Sequence, residues 1–161
     1  MLFVSEPYRD LAGMGTYVAN GGRTAAILVC DPGISVLGSG TGPDHAWVRT
    51  TEATYVSVYL SPNCQARVYE RKVNAIEDAI REMRGNVIVA GDFNARAIEW
   101  GMPLTNSRGR LLLEMAARLD LVVANVGSVP TYRRPGYGDS IPDVTFVSAG
   151  LMPRLSDWRV T

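Results

Sequence analysis

Val87-Ile88-Val89-Ala90-Gly91-Asp92-Phe93-Asn94-Ala95 is the stretch from which the fold can be read. Four apolar residues in succession, three of them β-branched, predict a strand buried on both faces. Gly91 breaks the run, and Asp92 and Asn94 follow where that strand ends. Open α/β sheets place their chemistry beyond the carboxyl ends of strands. A carboxylate there offers charge and an acceptor, and a carboxamide offers a donor and an acceptor at any pH. The pair suits orienting a water against a phosphate or a metal. Alone, Gly-Asp-x-Asn reads more readily as a polar turn, so its weight depends on the rest of the chain.

On the upstream side, Ala66, Tyr69, Val73, Ile76, Ile80 and Met83 recur at steps of three and four and predict a helix with one apolar stripe. Arg67, Arg71, Glu77, Asp78, Arg81 and Glu82 lie off the stripe as a solvated face, and Gly85 closes the helix. Before it, Thr54 to Leu60 reads as a strand, with Val56, Val58 and Leu60 on one face and Tyr55, Ser57 and Tyr59 on the other. Trp47 to Arg49 is its hairpin partner. Downstream, Asn106 or Ser107 caps a second helix over residues 108–119. Leu121 to Ala124 and Asp143 to Ser148 read as strands, separated by a long loop from Pro130 to Pro142, and Arg154 to Val160 begins another.

Nearer the start, Leu2 to Ser5 is a short apolar run that Pro7 cuts off from further pairing. Residues 9–22 are loop-like, Thr24 to Val29 reads as a buried strand and Ile34 to Leu37 as a short one. Gly38 to Asp44 is a glycine-rich loop without nucleotide-binding spacing. Strands and helices alternate in the middle, with antiparallel hairpins at both ends. The class is α/β, in layers with mixed sheets.

The composition narrows the partners. The chain has 161 residues, enough for one domain with a real core, and 47% of them are hydrophobic. Net charge is zero, so no bulk field announces a nucleic acid. All the basic residues but Lys72 are arginine, which suits bidentate phosphate contact. Cys30 and Cys64 lack metal spacing and read as free thiols of a reducing compartment. No apolar run reaches membrane-spanning length and no signal peptide leads the chain, so no membrane partner is expected.

Glu6, Tyr59, Asp92 with Asn94, and Asp143 all fall inside or just beyond strands. Taken singly, Tyr59 is a packed aromatic, Glu6 a turn residue and Asp143 a strand-start cap. Together, three carboxylates and a carboxamide without a Cys or His cluster suit a hard cation, Mg2+ or Mn2+, and not zinc. Such an ion stabilises charge on a phosphate and its leaving oxygen.

The motifs, in order, resemble the endonuclease/exonuclease/phosphatase superfamily of metal-dependent phosphodiesterases. Ser5-Glu6-Pro7-Tyr8 is similar to its glutamate motif and Ser57 to Asn63 to its tyrosine motif. Gly91 to Ala95 resembles its most specific signature, and Ser140 to Phe146 its late aspartate motif. Glu6-Pro7-Tyr8, Asn106-x-Arg108-Gly109 and Pro130-Thr131-Tyr132 resemble the nuclease domain of insect non-LTR retrotransposons. The resemblance covers essentially the whole chain. It implies a four-layer sandwich of two packed mixed sheets flanked by helices. By that resemblance Glu6 holds the divalent ion, Asp92 orients or activates water, and Asn94 and Tyr59 contact the scissile phosphate. Asp143 fixes the orientation of a histidine. It implies double-stranded DNA as substrate and a nick that leaves a 3′-hydroxyl to prime reverse transcription. The element's RNA and a reverse transcriptase domain of the same polyprotein are the further partners, and the site of action is nuclear. Tyr8, Arg9, Asn63, Tyr132, Arg133 and Arg134 are the DNA-binding candidates, the last three in an arginine- and tyrosine-rich run suited to stacking and phosphate contact.

Two departures shape the expectation. Family members begin with an earlier strand bearing a metal-supporting asparagine or aspartate, and end in a serine-aspartate-histidine motif. The one histidine here is His45, read as a solvated loop residue, and Ser156-Asp157-Trp158 reads as part of a penultimate strand. The chain is therefore expected to be a fragment with incomplete first and last strands, inactive or nearly so alone. The alternatives are another phosphodiesterase of the superfamily, such as an abasic-site nuclease or a phosphatase, and a non-catalytic DNA-binding remnant. A calcineurin-like phosphatase needs several histidines and is excluded.

Overall fold

The computed structural model describes residues 1–7, 12–136 and 138–160. Three strands, β1 (Leu2–Ser5), β2 (Thr16–Ala19) and β3 (Ala25–Val29), form a small antiparallel sheet in the order β1-β3-β2. The next strands are β4 (Gly38–Thr41), β5 (His45–Arg49) and β6 (Thr54–Tyr59), followed by helix α1 (Ala66–Arg81), β7 (Val87–Asp92), helix α2 (Ser107–Arg118) and β8 (Leu121–Val123). A hairpin of β9 (Tyr132–Arg134) and β10 (Gly138–Ser140) precedes the last strand, β11 (Asp143–Ser148).

The large sheet runs β4-β5-β6-β7-β11-β8. Only β6 and β7 are parallel, because α1 carries the chain back between them; the other pairs are antiparallel. Strand alternation then sorts the residues. Val56, Val58, Val87, Val89, Val144 and Phe146 face the two helices in one buried cluster, where Phe146 meets Phe93 and Trp100 edge-on. Tyr55 and Val48 face the small sheet, in a second cluster with Ile27 and Val29. The expected plan of two packed sheets and flanking helices is present, with the larger sheet mixed and the smaller one antiparallel.

Several local expectations are corrected. Residues 9–22 are not all loop: Thr16–Ala19 is a strand, because it can pair along β3. Ile34 to Leu37 is not a strand; its neighbour Gly38–Thr41 is. A Cβ at Gly40 would lie 2.7 Å from the Trp47 indole nitrogen, so the glycine lets that ring lie flat on the strand. The loop from Pro130 to Pro142 carries the β9–β10 hairpin. Residues 155–160 form no strand, and Trp158 instead donates from its indole to Thr145 Oγ1 at 3.4 Å. Glu77 is not solvated. It is 6% exposed and accepts from Arg118 at 2.8 and 2.9 Å and from Arg81 at 2.5 Å, joining α1 to α2. Arg118 foremost, then Arg81, holds its carboxyl down to about 2 against the cost of burial.

His45 is also corrected. It is a buried residue of β5, not a loop residue, and burial lowers its pKa. It pairs with Val58, whose side chain faces the helices. Its ring packs over Gly42, where a Cβ would lie 2.3 Å away.

Candidate active site

The register of the large sheet assembles the site. Tyr59 on β6 pairs with Asp92 on β7, and Asp92 pairs with Asp143 on β11, so three residues far apart in sequence stand in one row. Alternation turns all three toward the small sheet, away from His45. β1 ends over this row and delivers Glu6, whose φ of 48° is rare for a residue with a side chain. Glu6 N–H donates to Thr24 carbonyl oxygen at 2.8 Å, anchoring that turn to β3. Glu6, Tyr59, Asp92, Asn94, Tyr132 and Arg134 line one cleft of about 350 Å³.

The row is electrostatically tense. Burial first, then the nearby Asp143 charge, pushes the Asp92 carboxyl up to about 6, with Glu6 adding to the rise and hydrogen bonds from Asn94 opposing it. The Asp143 carboxyl is also raised by desolvation, against the hydrogen bond from Thr131. Burial and the bond to Glu6 lift the Tyr59 phenol to about 12, so it stays protonated and donates toward Glu6. Asp92, Asp143 and Glu6 thus gather acidic groups around one end of the row.

The donor set limits how such an ion is held. Among the described residues no three His, Cys, Asp or Glu side chains gather closely enough to cage a metal. The arrangement instead fits a magnesium-like ion held by one or two carboxylates, Glu6 with Asp92 nearby, and otherwise by water and phosphate.

Asn94 is held in the left-handed region at φ 47°. Its backbone N–H donates to Asp92 Oδ1 at 3.1 Å, and its side-chain amide donates to the Leu60 carbonyl at 3.0 Å. Its side chain also bonds the Asp92 carboxyl, so the Asn94 carbonyl oxygen is what remains for a ligand. Tyr132 and Arg134 alternate onto the cleft side of β9, whereas Arg133 falls on the other face, 3.9 Å from Asp139. Asn63 is exposed beside the cleft, its backbone N–H on Ser61 Oγ at 3.3 Å. Tyr8, Arg9 and Tyr137 lie outside the described residues.

Arg108 does work that the sequence reading left unassigned. Its guanidinium donates to the carbonyls of Cys64 at 2.7 Å, Pro62 at 3.1 Å, Asn94 at 3.3 Å and Ser61 at 3.4 Å. It also stacks 4.4 Å over the Tyr69 ring, whose hydroxyl donates to the Phe93 carbonyl at 2.8 Å. One side chain thus ties the loop after β6 to the loop after β7. Asn106 and Gly109 complete the device. The Asn106 side chain caps α2 by accepting from Gly109 N–H at 2.8 Å and also accepts from Arg96 N–H at 3.2 Å. A Cβ at Gly109 would sit 1.9 Å from the Arg96 carbonyl oxygen. Asn125 was likewise missed: it bridges the Asp143 carbonyl and the Thr145 N–H at 3.0 and 2.8 Å. Backbone carbonyls as partners leave no pattern in sequence. Arg108→Ala is expected to cost about 2–3 kcal/mol in urea unfolding, and Arg108→Lys about half of that, because an ammonium lacks the planar fork.

Acids and amides converging at the rim of a two-sheet α/β sandwich define the class of nucleases and phosphohydrolases that work on phosphate esters. The chain belongs to the endonuclease-reverse transcriptase family, whose model matches residues 53–161. Among solved structures it is similar to the endonuclease domain of TRAS1, a telomere-specific non-LTR retrotransposon, at 29% identity and a TM-score of 0.75, over 99% of this chain and 76% of that one. It shares its fold with a 3′-5′ exonuclease from Neisseria meningitidis at 16% identity and a TM-score of 0.63, over 91% of this chain and 72% of that one. An AP endonuclease from Archaeoglobus fulgidus gives 14% identity and a TM-score of 0.63, over 91% and 71%. None of the curated protein sequences matches.

Proposed function

We propose that the chain is the DNA-nicking nuclease domain of a non-LTR retrotransposon, acting on double-stranded DNA in the nucleus and leaving a 3′-hydroxyl that primes reverse transcription of the element's RNA. The observation that carries this is the Tyr59–Asp92–Asp143 row, with Glu6 and Asn94 around the same cleft. TRAS1 similarity and the family match support the retroelement reading.

In this mechanism Asp92 orients and activates a water for in-line attack, and its raised proton affinity suits it to hold a proton near neutral pH. Asn94, whose side chain bonds the Asp92 carboxyl before DNA is present, turns an amide hydrogen to the scissile phosphate when the strand binds. Tyr59 fixes Glu6 through its hydroxyl. Glu6, with Asp92 nearby, would hold Mg2+ or Mn2+, which would supply charge stabilisation to the phosphate and leaving oxygen. Positioning and charge do the catalysis, with no covalent intermediate. Among the described residues no imidazole stands beside Asp143, since His45 lies on the opposite face of the sheet.

That gap sets the test. Supercoiled plasmid is incubated with the chain in magnesium, with and without free imidazole, which titrates near neutrality. Nicking close to background in magnesium alone, raised by imidazole and unresponsive in Asp92→Ala, is the expected result. Imidazole-insensitive nicking that survives Asp92→Ala or EDTA would overturn the assignment.

A further inference from the structure

The cleft continues past Asn94 into a second lobe of about 260 Å³ that shares Pro62, Asn94, Ser140 and Pro142 with the first. Its chemistry is opposite. The first lobe holds Glu6 and Asp92, whereas the second contains Arg96, Asn106 and Arg108 and no carboxylate. Arg108 is committed to carbonyls. Asn106 spends its side-chain oxygen on two backbone N–H groups, leaving its amide hydrogens to point elsewhere. Arg96 is exposed, and its guanidinium makes no hydrogen bond or ion pair to any described residue. Its backbone is nonetheless pinned from both sides: Asn106 Oδ1 accepts its N–H, and its carbonyl accepts Asn106 N–H at 3.0 Å. An arginine with a fixed root and an uncommitted fork is prepared for an anion.

We infer that this lobe is a phosphate subsite in which Arg96, with the Asn106 amide beside it, grips the backbone phosphate next to the scissile one. The inference rests on the proposed nuclease function and adds a residue that sets the register of the strand. A nucleic-acid strand lying across both lobes meets Arg96 and the Asn106 amide with no carboxylate in one, and Glu6 and Asp92 beside Arg134 in the other. The bond to be cut is therefore fixed by which phosphate Arg96 holds, two residues along the chain from Asn94.

Binding of a short fluorescent DNA duplex is read by anisotropy in EDTA over a salt series, for the wild-type chain, Arg96→Ala, Arg96→Lys and Arg133→Ala. Arg96→Ala is expected to weaken binding about five- to tenfold and to reduce the log–log salt slope by about one. Arg96→Lys restores the slope and part of the affinity. Arg133→Ala, on the far face of its hairpin, changes both less than Arg96→Ala does. If the wild type binds and Arg96→Ala leaves the slope unchanged, or Arg133→Ala matches its loss, the subsite is refuted while the nuclease reading stands. If the wild-type chain binds no duplex at low salt, both fall.

Discussion

Asp92→Asn is expected to stabilise the domain at neutral pH by about 1–3 kcal/mol, raising its melting temperature by about 3–10 °C, while removing the imidazole-dependent nicking. The folded chain holds the Asp92 proton more tightly than an open chain does, up to about 6 against an ordinary value of 3.8, through burial and the Asp143 and Glu6 charges. That proton's contribution is complete below the ordinary value and is lost as pH rises through about 6. Above that range the fold carries the ionised form at a cost. An amide of the same shape removes the cost and keeps an oxygen for the Asn94 N–H. Melting curves at about pH 7.5 and about pH 4 check this: the two proteins should differ at the first and converge at the second. A wild type that is the more stable at neutral pH would show that the acid cluster is not under strain.

Gly91→Ala is expected to abolish cooperative folding or cost at least about 4 kcal/mol, a large share of the stability of a domain this size. At Gly91 φ is +154° and a Cβ would lie 1.9 Å from the Val58 carbonyl oxygen, one pair before the Tyr59–Asp92 end of the parallel β6–β7 ladder. That atom is backbone in a central ladder and has nowhere to move. Gly85→Ala is the control, at φ +82° with nothing within 4 Å, and should cost only about 1 kcal/mol. Urea midpoints for the two variants give the comparison. Equal small losses would mean that β6 and β7 separate easily, and that the Tyr59–Asp92 register does not fix the site.

The core of this arrangement is legible in sequence because it is written in side chains with strong periodicity. The run from Val87 to Ala90 and the apolar stripe of α1 name the central strand and its crossover helix, and a crossover forces β6 and β7 parallel. From there Tyr59, Asp92 and Asp143 fall at strand ends that the sheet must bring together. Harder to read were the places where glycine or backbone sets the outcome. Gly38–Thr41 looks like a loop until Trp47 is placed on it. Glu77 looks solvated until α2 supplies Arg118. Arg108 speaks to four carbonyls, and carbonyls are the same at every residue. His45 was misplaced because its strand begins two residues before the apolar pattern does, at a residue whose burial depends on Gly42.

β11 enters the large sheet between β7 and β8, although β8 precedes it in the chain. A ribosome making this polypeptide releases Glu6, Tyr59 and Asp92 long before it releases Asp143, and the gap beside β7 stays open until residue 148 has emerged. Chains fold as they are made, in segments from the N-terminus. The row is thus completed only when β11 reaches its place beside β7, so a product terminated before residue 143 carries Glu6, Tyr59 and Asp92 without the strand that closes their row.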